Sequence, residues 1–450
     1  MTNLSRRSFI AKSAAVAAGS LLLPGLSGCK SGKINIAVIG VGGRGKANWS
    51  ECMNENVVAL CDVSDDAAAE GFKTFPKAKR FKDFRVMFDQ MEKQIDAVII
   101  STPDHVHFAA TMAAMQLGKH VYVEKPLAHN IWQLRTLRKA AQQYKVITQM
   151  GNQGHATMGI RYVKEWYEAG VLGNVKEVFA WFDGPGFNPK GYFLKPDTYP
   201  PTEEPIPAGL DWDLWLGPAA VRPYSHFYIP RFWRGWYELG NGELGDWACH
   251  TLDAPFWSLD LGMPVTVDSI LRTPSPEGFV TDQSVLKFEF EARGNKPPVT
   301  LNWFEGGVKP ENRPEWGLKE LPGSGMIMVG DKASLMTGGR PNDPKLLLPD
   351  AEWQKFTKNL PAETIPRVEG GPQAEWQRAI KGDGPIPGSN FEYSARLTEM
   401  ASLGVLSQRF NTRIEYDAAN MKVTNHPEFD KYIKEPVRKG WEYGEDLWKS

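Results

Sequence analysis

Ile34-Asn35-Ile36-Ala37-Val38-Ile39-Gly40-Val41-Gly42-Gly43-Arg44-Gly45 decides the fold. A short, mostly apolar run of β-forming residues enters a glycine-rich turn, and a stretch of helical period follows. The turn fits G-x-G-x-x-G at Gly40, Gly42 and Gly45, with Gly43 and Arg44 between the last two. The pattern has a mechanism: the first glycine makes the tight turn, the second lets the main chain approach a pyrophosphate, and the third lets helix and strand pack closely. The next apolar run, Val57-Val58-Ala59-Leu60-Cys61, ends at Asp62. An acid there accepts hydrogen bonds from an adenosine ribose 2′-hydroxyl and repels a 2′-phosphate, so NAD is the expected cofactor. NADP stays open, since Arg44 in the turn can meet a phosphate or stack on adenine.

Outward from this unit the alternation continues. Two more apolar strands, at 96–100 and 120–123, are each trailed by helical period, near 106–117 and 131–144, and a last short strand is expected at 146–149. Strands and helices alternating at this spacing predict an α/β fold with a doubly wound parallel sheet over residues 33–152. From residue 153 to 450 the pattern changes. After a helix near 160–169, candidate strands at 175–182, 265–271, 284–290, 299–303 and 326–329 predict a second α/β domain with an open, mainly antiparallel sheet. Residues 184–230, rich in Pro and Gly, are too long for a plain connection and read as a lid or an oligomer arm. Helices are expected at 373–380 and 391–410, the longer one packing back on the first domain.

The 450 residues carry 52 basic and 53 acidic side chains, a balance that lacks the footprint of a nucleic-acid binder and suits a small neutral or anionic ligand. Residues 1–28 read as an address. Arg6-Arg7 stands in a twin-arginine pattern before an apolar run at 14–23, and Leu26-Ser27-Gly28-Cys29 is similar to a lipobox in which Cys29 is lipidated. The expectation is export through the twin-arginine route to the periplasm or cell envelope, with a lipid tether to a membrane. Cys52, Cys61 and Cys249 are odd in number and are expected to be buried thiols.

Two constellations fall at carboxyl ends of strands, where open α/β sheets place ligand contacts. One is Ser101-Thr102-Pro103-Asp104-His105-Val106-His107, in which Thr102, Pro103, His105 and His107 are candidates for the cofactor and Asp104 or Thr102 equally serves as a helix cap. The other is Glu124-Lys125-Pro126-Leu127. Asn152 and Gln153 follow the last strand and are candidates for the nicotinamide carboxamide or a sugar hydroxyl.

Together with the glycine turn, Thr102–His107 and Gly118-Lys119-His120-Val121-Tyr122-Val123-Glu124-Lys125-Pro126-Leu127 resemble the Gfo/Idh/MocA oxidoreductase family, densely over 33–154 and more thinly through 245–257 and the C-terminal helix. The resemblance implies a Rossmann domain, a second domain whose open sheet forms an oligomer interface, and NAD(P)-linked oxidation of sugars or polyols. It places Lys125 beside the nicotinamide and the substrate hydroxyl. The family's Asp-x-x-x-His matches Asp246 and His250, with His250 as proton acceptor and Asp246 binding substrate or holding the imidazole. On a continuous helix Asp253 shares their face, so the three are expected to converge on one pocket. The same triplet has metal-ligand chemistry, but no second histidine at regular spacing supports it and no metal is expected.

Substrate contacts are expected from Asp253, Trp233, Arg234 and Trp247, because tryptophans crowd residues 181–257 and aromatic faces pack against sugar rings. A sugar or glycoside is the expected small-molecule partner, in a homo-oligomer. An exported dehydrogenase finds no free NAD to replace its own, so the cofactor is expected to be tightly bound. That favours redox-neutral chemistry as the main alternative, a glycoside hydrolase or lyase working through a transient 3-keto sugar. A non-catalytic sugar-binding lipoprotein is the reading from another class.

Overall fold

The computed structural model describes residues 32–449, so the arginine pair, the lipobox and Cys29 lie outside the described residues. The first domain is a six-stranded, wholly parallel sheet. Its elements run β1 (Asn35–Ile39), α1 (Arg44–Ser50), β2 (Asn56–Cys61), α2 (Asp65–Thr74), β3 (Lys79–Phe81), α3 (Phe84–Met91), β4 (Ala97–Ile100), α4 (Asp104–Gln116), β5 (His120–Val123), α5 (Ile131–Tyr144) and β6 (Thr148–Met150). The strand order β3-β2-β1-β4-β5-β6 reverses direction between β1 and β4, which opens a crevice at the carboxyl ends of those two strands. β4 is buried along its whole length because helices cover both faces of the sheet, which is why it reads as an unbroken apolar run.

The second domain continues with α6 (Met158–Glu168), β7 (Val175–Phe182), α7 (Trp212–Leu216), α8 (Gly242–Thr251), α9 (Asp253–Leu259), β8 (Thr266–Arg272), β9 (Ser284–Phe290), β10 (Val299–Glu305), β11 (Gly325–Gly330), β12 (Ser334–Thr337) and β13 (Lys345–Leu346). It ends with α10 (Asp350–Thr357), α11 (Gly371–Lys381), α12 (Phe391–Phe410), β14 (Ile414–Asp417) and β15 (Lys422–Val423). Nine strands form one sheet in the order β13-β12-β11-β7-β10-β9-β8-β14-β15. Only β7 and β10 pair in parallel, so the sheet is mixed and mostly antiparallel. β3 and β12 to β15 have no counterpart in the sequence reading: at two to four residues, some of them charged, they are too short for any periodicity to register.

Attachments in several places hold the second domain against the first, among them these three. The long helix α12 starts on an Asn390 cap and hydrogen-bonds Thr148 through the Phe391 amide at 3.0 Å, while Arg135 of α5 pairs with Glu399 at 2.6 Å. The 184–230 segment folds back onto the β2–α2 corner: Leu210 bridges Ser64, the Asp65 amide donates to the Gly209 carbonyl at 3.1 Å, and the Asp211 amide donates to that of Val63 at 2.9 Å. The third is His105 on α4, whose amide donates to the Leu239 carbonyl at 3.3 Å.

The glycine turn is set by close approach. A Cβ on Gly45 would stand 1.9 Å from the Gly40 carbonyl oxygen, so helix and strand touch there with no room for any side chain. Gly45→Ala is therefore expected to lose about 2 kcal/mol, within the range for overpacking a closed site. Urea unfolding checks it; an unchanged midpoint would show that the turn relaxes freely.

Candidate active site

Residues from both domains meet over the crevice between β1 and β4. On its first-domain side, Asp62 ends β2 and turns its carboxylate toward the glycine turn, accepting from the Val41 amide at 2.8 Å and the Gly42 amide at 3.4 Å, with the Ser64 amide on its other oxygen at 2.9 Å. Gly43 has φ 51° and nothing within 4 Å of where a Cβ would be, so the turn presents bare main chain to open space. Across from it the Thr102 hydroxyl is buried without a hydrogen-bond partner, and the Ser101–Thr102 main chain lies against Gly40. A clear cradle facing an unmatched polar atom fits a phosphate-bearing dinucleotide. Arg44 leans over the turn and donates to Glu124 at 2.9 Å, as does Asn48.

At the other wall Lys125, carried on the loop after β5, donates to the Asp246 carboxylate at 2.7 Å and to its carbonyl at 2.8 Å. Arg234 donates to the same carboxylate oxygen at 3.0 Å. Burial pushes the Asp246 carboxyl up, but the Lys125 ammonium and the Arg234 guanidinium outweigh it and hold it well below the usual carboxylate range. One turn along α8, His250 is 1% exposed, and its Nδ1 has no hydrogen-bond partner. Burial first, then the cations Lys125 and Arg340, keep its imidazole neutral far below its ordinary value. Trp247 stacks on Phe182 with 3.8 Å between ring centroids and meets His250 edge-on at 5.4 Å.

Several expected site residues lie elsewhere. The helix expected to carry Asp246, His250 and Asp253 on one face breaks at Leu252, where α8 ends and α9 begins. Asp253 is fully buried, held by Asn152 at 2.9 Å, His155 at 2.9 Å and the Tyr393 hydroxyl at 2.6 Å. It is a structural anchor, not a substrate contact. Asn152 is consumed by the same network, with Ser389 on its carbonyl oxygen, and Gln153 donates back to the Gly151 carbonyl. Asn152 is thus taken up within the fold, while Gln153 stays half-buried beside Tyr122. His105 places its ring nitrogens on the carbonyls of Leu239 and Trp215 at 3.2 and 3.0 Å, and burial pushes its pKa down to about 3. His107 bridges the carbonyls of Pro126 and Thr102, each at 2.8 Å. His107 thus braces the loops that carry Lys125 and Thr102, while His105 ties α4 to the second domain, and the ring nitrogens of both are taken up by main-chain carbonyls. Pro103 stands at the start of α4 as a cap. Trp233 is 4% exposed and covered by Arg234 at 4.2 Å, so its ring is core.

Three residues at the site carry no motif. Glu243 shares the α8 face with Asp246 and His250 at i, i+3 and i+7, a spacing that helical periodicity alone could have found. Tyr192 lies 4.9 Å from the Arg234 guanidinium, and Arg340 lies 4.8 Å over the Trp247 ring. Both come from irregular segments, where sequence spacing gives no direction to a side chain.

Comparison with known proteins agrees with this layout. Residues 34–152 match the model described as "Oxidoreductase family, NAD-binding Rossmann fold", and residues 156–275 match "Oxidoreductase family, C-terminal alpha/beta domain". The chain is 24% identical over 256 residues to levoglucosan dehydrogenase of Pseudarthrobacter phenanthrenivorans, a match over 54% of this chain and 55% of that protein. It is 38% identical over 136 residues to a glycosyl hydrolase family 109 protein of Stenotrophomonas maltophilia, over 28% of this chain and 30% of the relative. The chain thus spans about half the length or less of these curated relatives. The WlbA dehydrogenase of Bordetella pertussis, solved with NADH and UDP-GlcNAcA, superposes with a TM-score of 0.58 at 18% identity, covering 86% of this chain and 99% of that one.

The Asp253 network makes a stability prediction. Asp253→Ala strands the buried donors of Asn152, His155 and Tyr393 and is expected to cost about 3 kcal/mol by denaturant unfolding. A cost below about 1 kcal/mol would mean that water replaces the carboxylate.

Proposed function

Because the chain belongs to the Gfo/Idh/MocA oxidoreductase family, we propose that it is an NAD-dependent oxidoreductase acting on a carbohydrate or polyol. The observation that carries the reading is the meeting of Lys125, Asp246 and His250 at the dinucleotide crevice. Gly40, Gly42, Gly43, Gly45, Arg44 and Thr102 would hold the dinucleotide, and Asp62 beside the turn favours NAD over its 2′-phosphorylated form. A dinucleotide held there would supply the hydride acceptor for oxidation at the carbon that bears the reacting hydroxyl. His250, kept neutral, takes the hydroxyl proton. Lys125, fixed by Asp246, donates to the same oxygen and steadies the charge that grows on it as the proton leaves. Asp246 is itself steadied by Arg234, so the ammonium is pinned from two sides. Trp247, stacked on Phe182 and overlaid by Arg340, would meet the sugar with its ring edge. Support comes from the relative named levoglucosan dehydrogenase and from the WlbA dehydrogenase, solved with NADH and UDP-GlcNAcA.

A second reading is redox-neutral cleavage of a glycoside with the same residues, supported by the relative named glycosyl hydrolase family 109, which has the highest identity of the relatives described above. It gains weight if Arg6-Arg7 and Cys29 act as a twin-arginine and lipidation signal, since an exported, tethered enzyme must regenerate its cofactor in place. We further propose a homo-oligomer built on the nine-stranded sheet. Cys29→Ala is expected to move the protein from the membrane to the soluble fraction; equal partition of both forms would remove the lipid tether.

The central test is absorbance at 340 nm as sugars, polyols and aryl glycosides are added to the purified holoprotein. Growth of the reduced-nicotinamide band on a sugar or polyol is expected, and His250→Ala should slow it roughly 100- to 10,000-fold. Aglycone release without net reduction would move the assignment to the second reading. No change with any compound would leave only sugar binding. Because the His250 pKa is lowered, its base form persists as pH falls, so kcat/KM should stay level through pH 6.5 and drop only well below it. An acid limb centred near 6.5 would exclude His250 as the base.

A further inference from the structure

The charge in the substrate half of the crevice does not balance. Lys125, Arg234 and Arg340 bring three cations, and among the described residues the only carboxylate ion-paired to any of them is Asp246, which both Lys125 and Arg234 already use. Glu243 on the same helix face makes no ion pair; burial, with the carboxylates of Asp246 and Glu305 nearby, drives it strongly toward the uncharged acid. Arg340 makes no ion pair or hydrogen bond through its guanidinium among the described residues, yet its charge is felt at His250 and Asp246.

Arg340 is also held in place. Its turn is clamped on α6, where a Cβ on Gly159 would stand 2.0 Å from the Pro341 carbonyl oxygen and 2.2 Å from that of Asn342. The Thr251 hydroxyl at the end of α8 donates to the Gly339 carbonyl at 2.9 Å. The guanidinium lies over Trp247, whose ring edge meets His250 at 5.4 Å, so Arg340 stands beside the space assigned above to the sugar. An exposed guanidinium on a fixed turn, unpaired among the described residues and beside the sugar space, leaves its planar donors free, and a planar carboxylate matches them in a bidentate pair. Bringing an anion into a crevice with surplus positive charge is favoured by the field, whereas a neutral sugar leaves the surplus unmatched.

We propose that the substrate class is an acidic sugar, a uronate or related carbohydrate carboxylate, and that Arg340 receives its carboxylate. This rests on the carbohydrate reading of the site, and it is tested by binding as well as by turnover. The holoprotein is titrated calorimetrically with D-glucuronate and D-galacturonate against D-glucose and D-galactose, at low and at 0.5 M salt, with the wild type, Arg340→Met and Arg340→Lys. Expected is at least about tenfold tighter binding of a uronate than of its neutral partner, as one charge-assisted pair allows. That preference should collapse in Arg340→Met, recover in part in Arg340→Lys, and shrink with salt. Equal binding of both members of each pair, or a preference that survives Arg340→Met, overturns the proposal. Loss of bound dinucleotide in Arg340→Met, with the uronate preference intact in the reloaded protein, also overturns it and moves Arg340 to the pyrophosphate. Binding of neutral sugars with no uronate preference leaves the carbohydrate reading standing; binding of no sugar at all overturns both.

Discussion

The ion pair between Lys125 and Asp246 is the constraint around which the molecule is arranged. One partner sits on the loop after β5 of the parallel sheet and the other rides a helix of the second domain, and they are 121 residues apart in the chain. At 2.7 Å and 12% exposure each, the pair is too buried for water to replace either member cheaply. The two domains must therefore meet at one distance and one angle. Other contacts between them serve that same geometry: α12 against α5, the folded-back segment on the β2–α2 corner, and His105 on the Leu239 and Trp215 carbonyls.

Which parts of this were legible in the sequence follows from how far each signal reaches. The glycine turn, the buried strands and the two constellations at strand ends are local: a few adjacent residues carry both the structure and its meaning, and they were readable. His105 and His107 show the limit. Their position at a strand end was right, but whether an imidazole faces a ligand or a carbonyl depends on Leu239, Trp215 and Pro126, which no spacing brings to mind. Asp253 failed for a subtler reason. Helical periodicity places i, i+4 and i+7 on one face only while the helix continues, and a single residue at Leu252 turns the next segment toward His155. The same periodicity read backward from Asp246 finds Glu243. The tryptophan-rich stretch misled in the other direction, since Trp181, Trp212, Trp215, Trp233 and Trp236 are all buried and only Trp247 lines the site.

The site also joins groups that suppress each other's charge. His250 stays neutral because it is buried beside cations, and Glu243 tends to its acid form because it is buried beside carboxylates. Both are on one face of α8, so a single helix presents an empty base and a filled acid to the same space.

The folded-back segment bears on how the chain comes together during synthesis. The imidazole of His105 waits for a carbonyl 134 residues further along, and the β2–α2 corner is completed by residues 209–211. The first domain has every strand of its sheet once Met150 has been made, yet its crevice lacks part of its wall until the ribosome has passed Leu239. Contacts of such sequence separation form late and slowly. A nascent chain therefore completes the parallel sheet well before the segments that wall its crevice have been made.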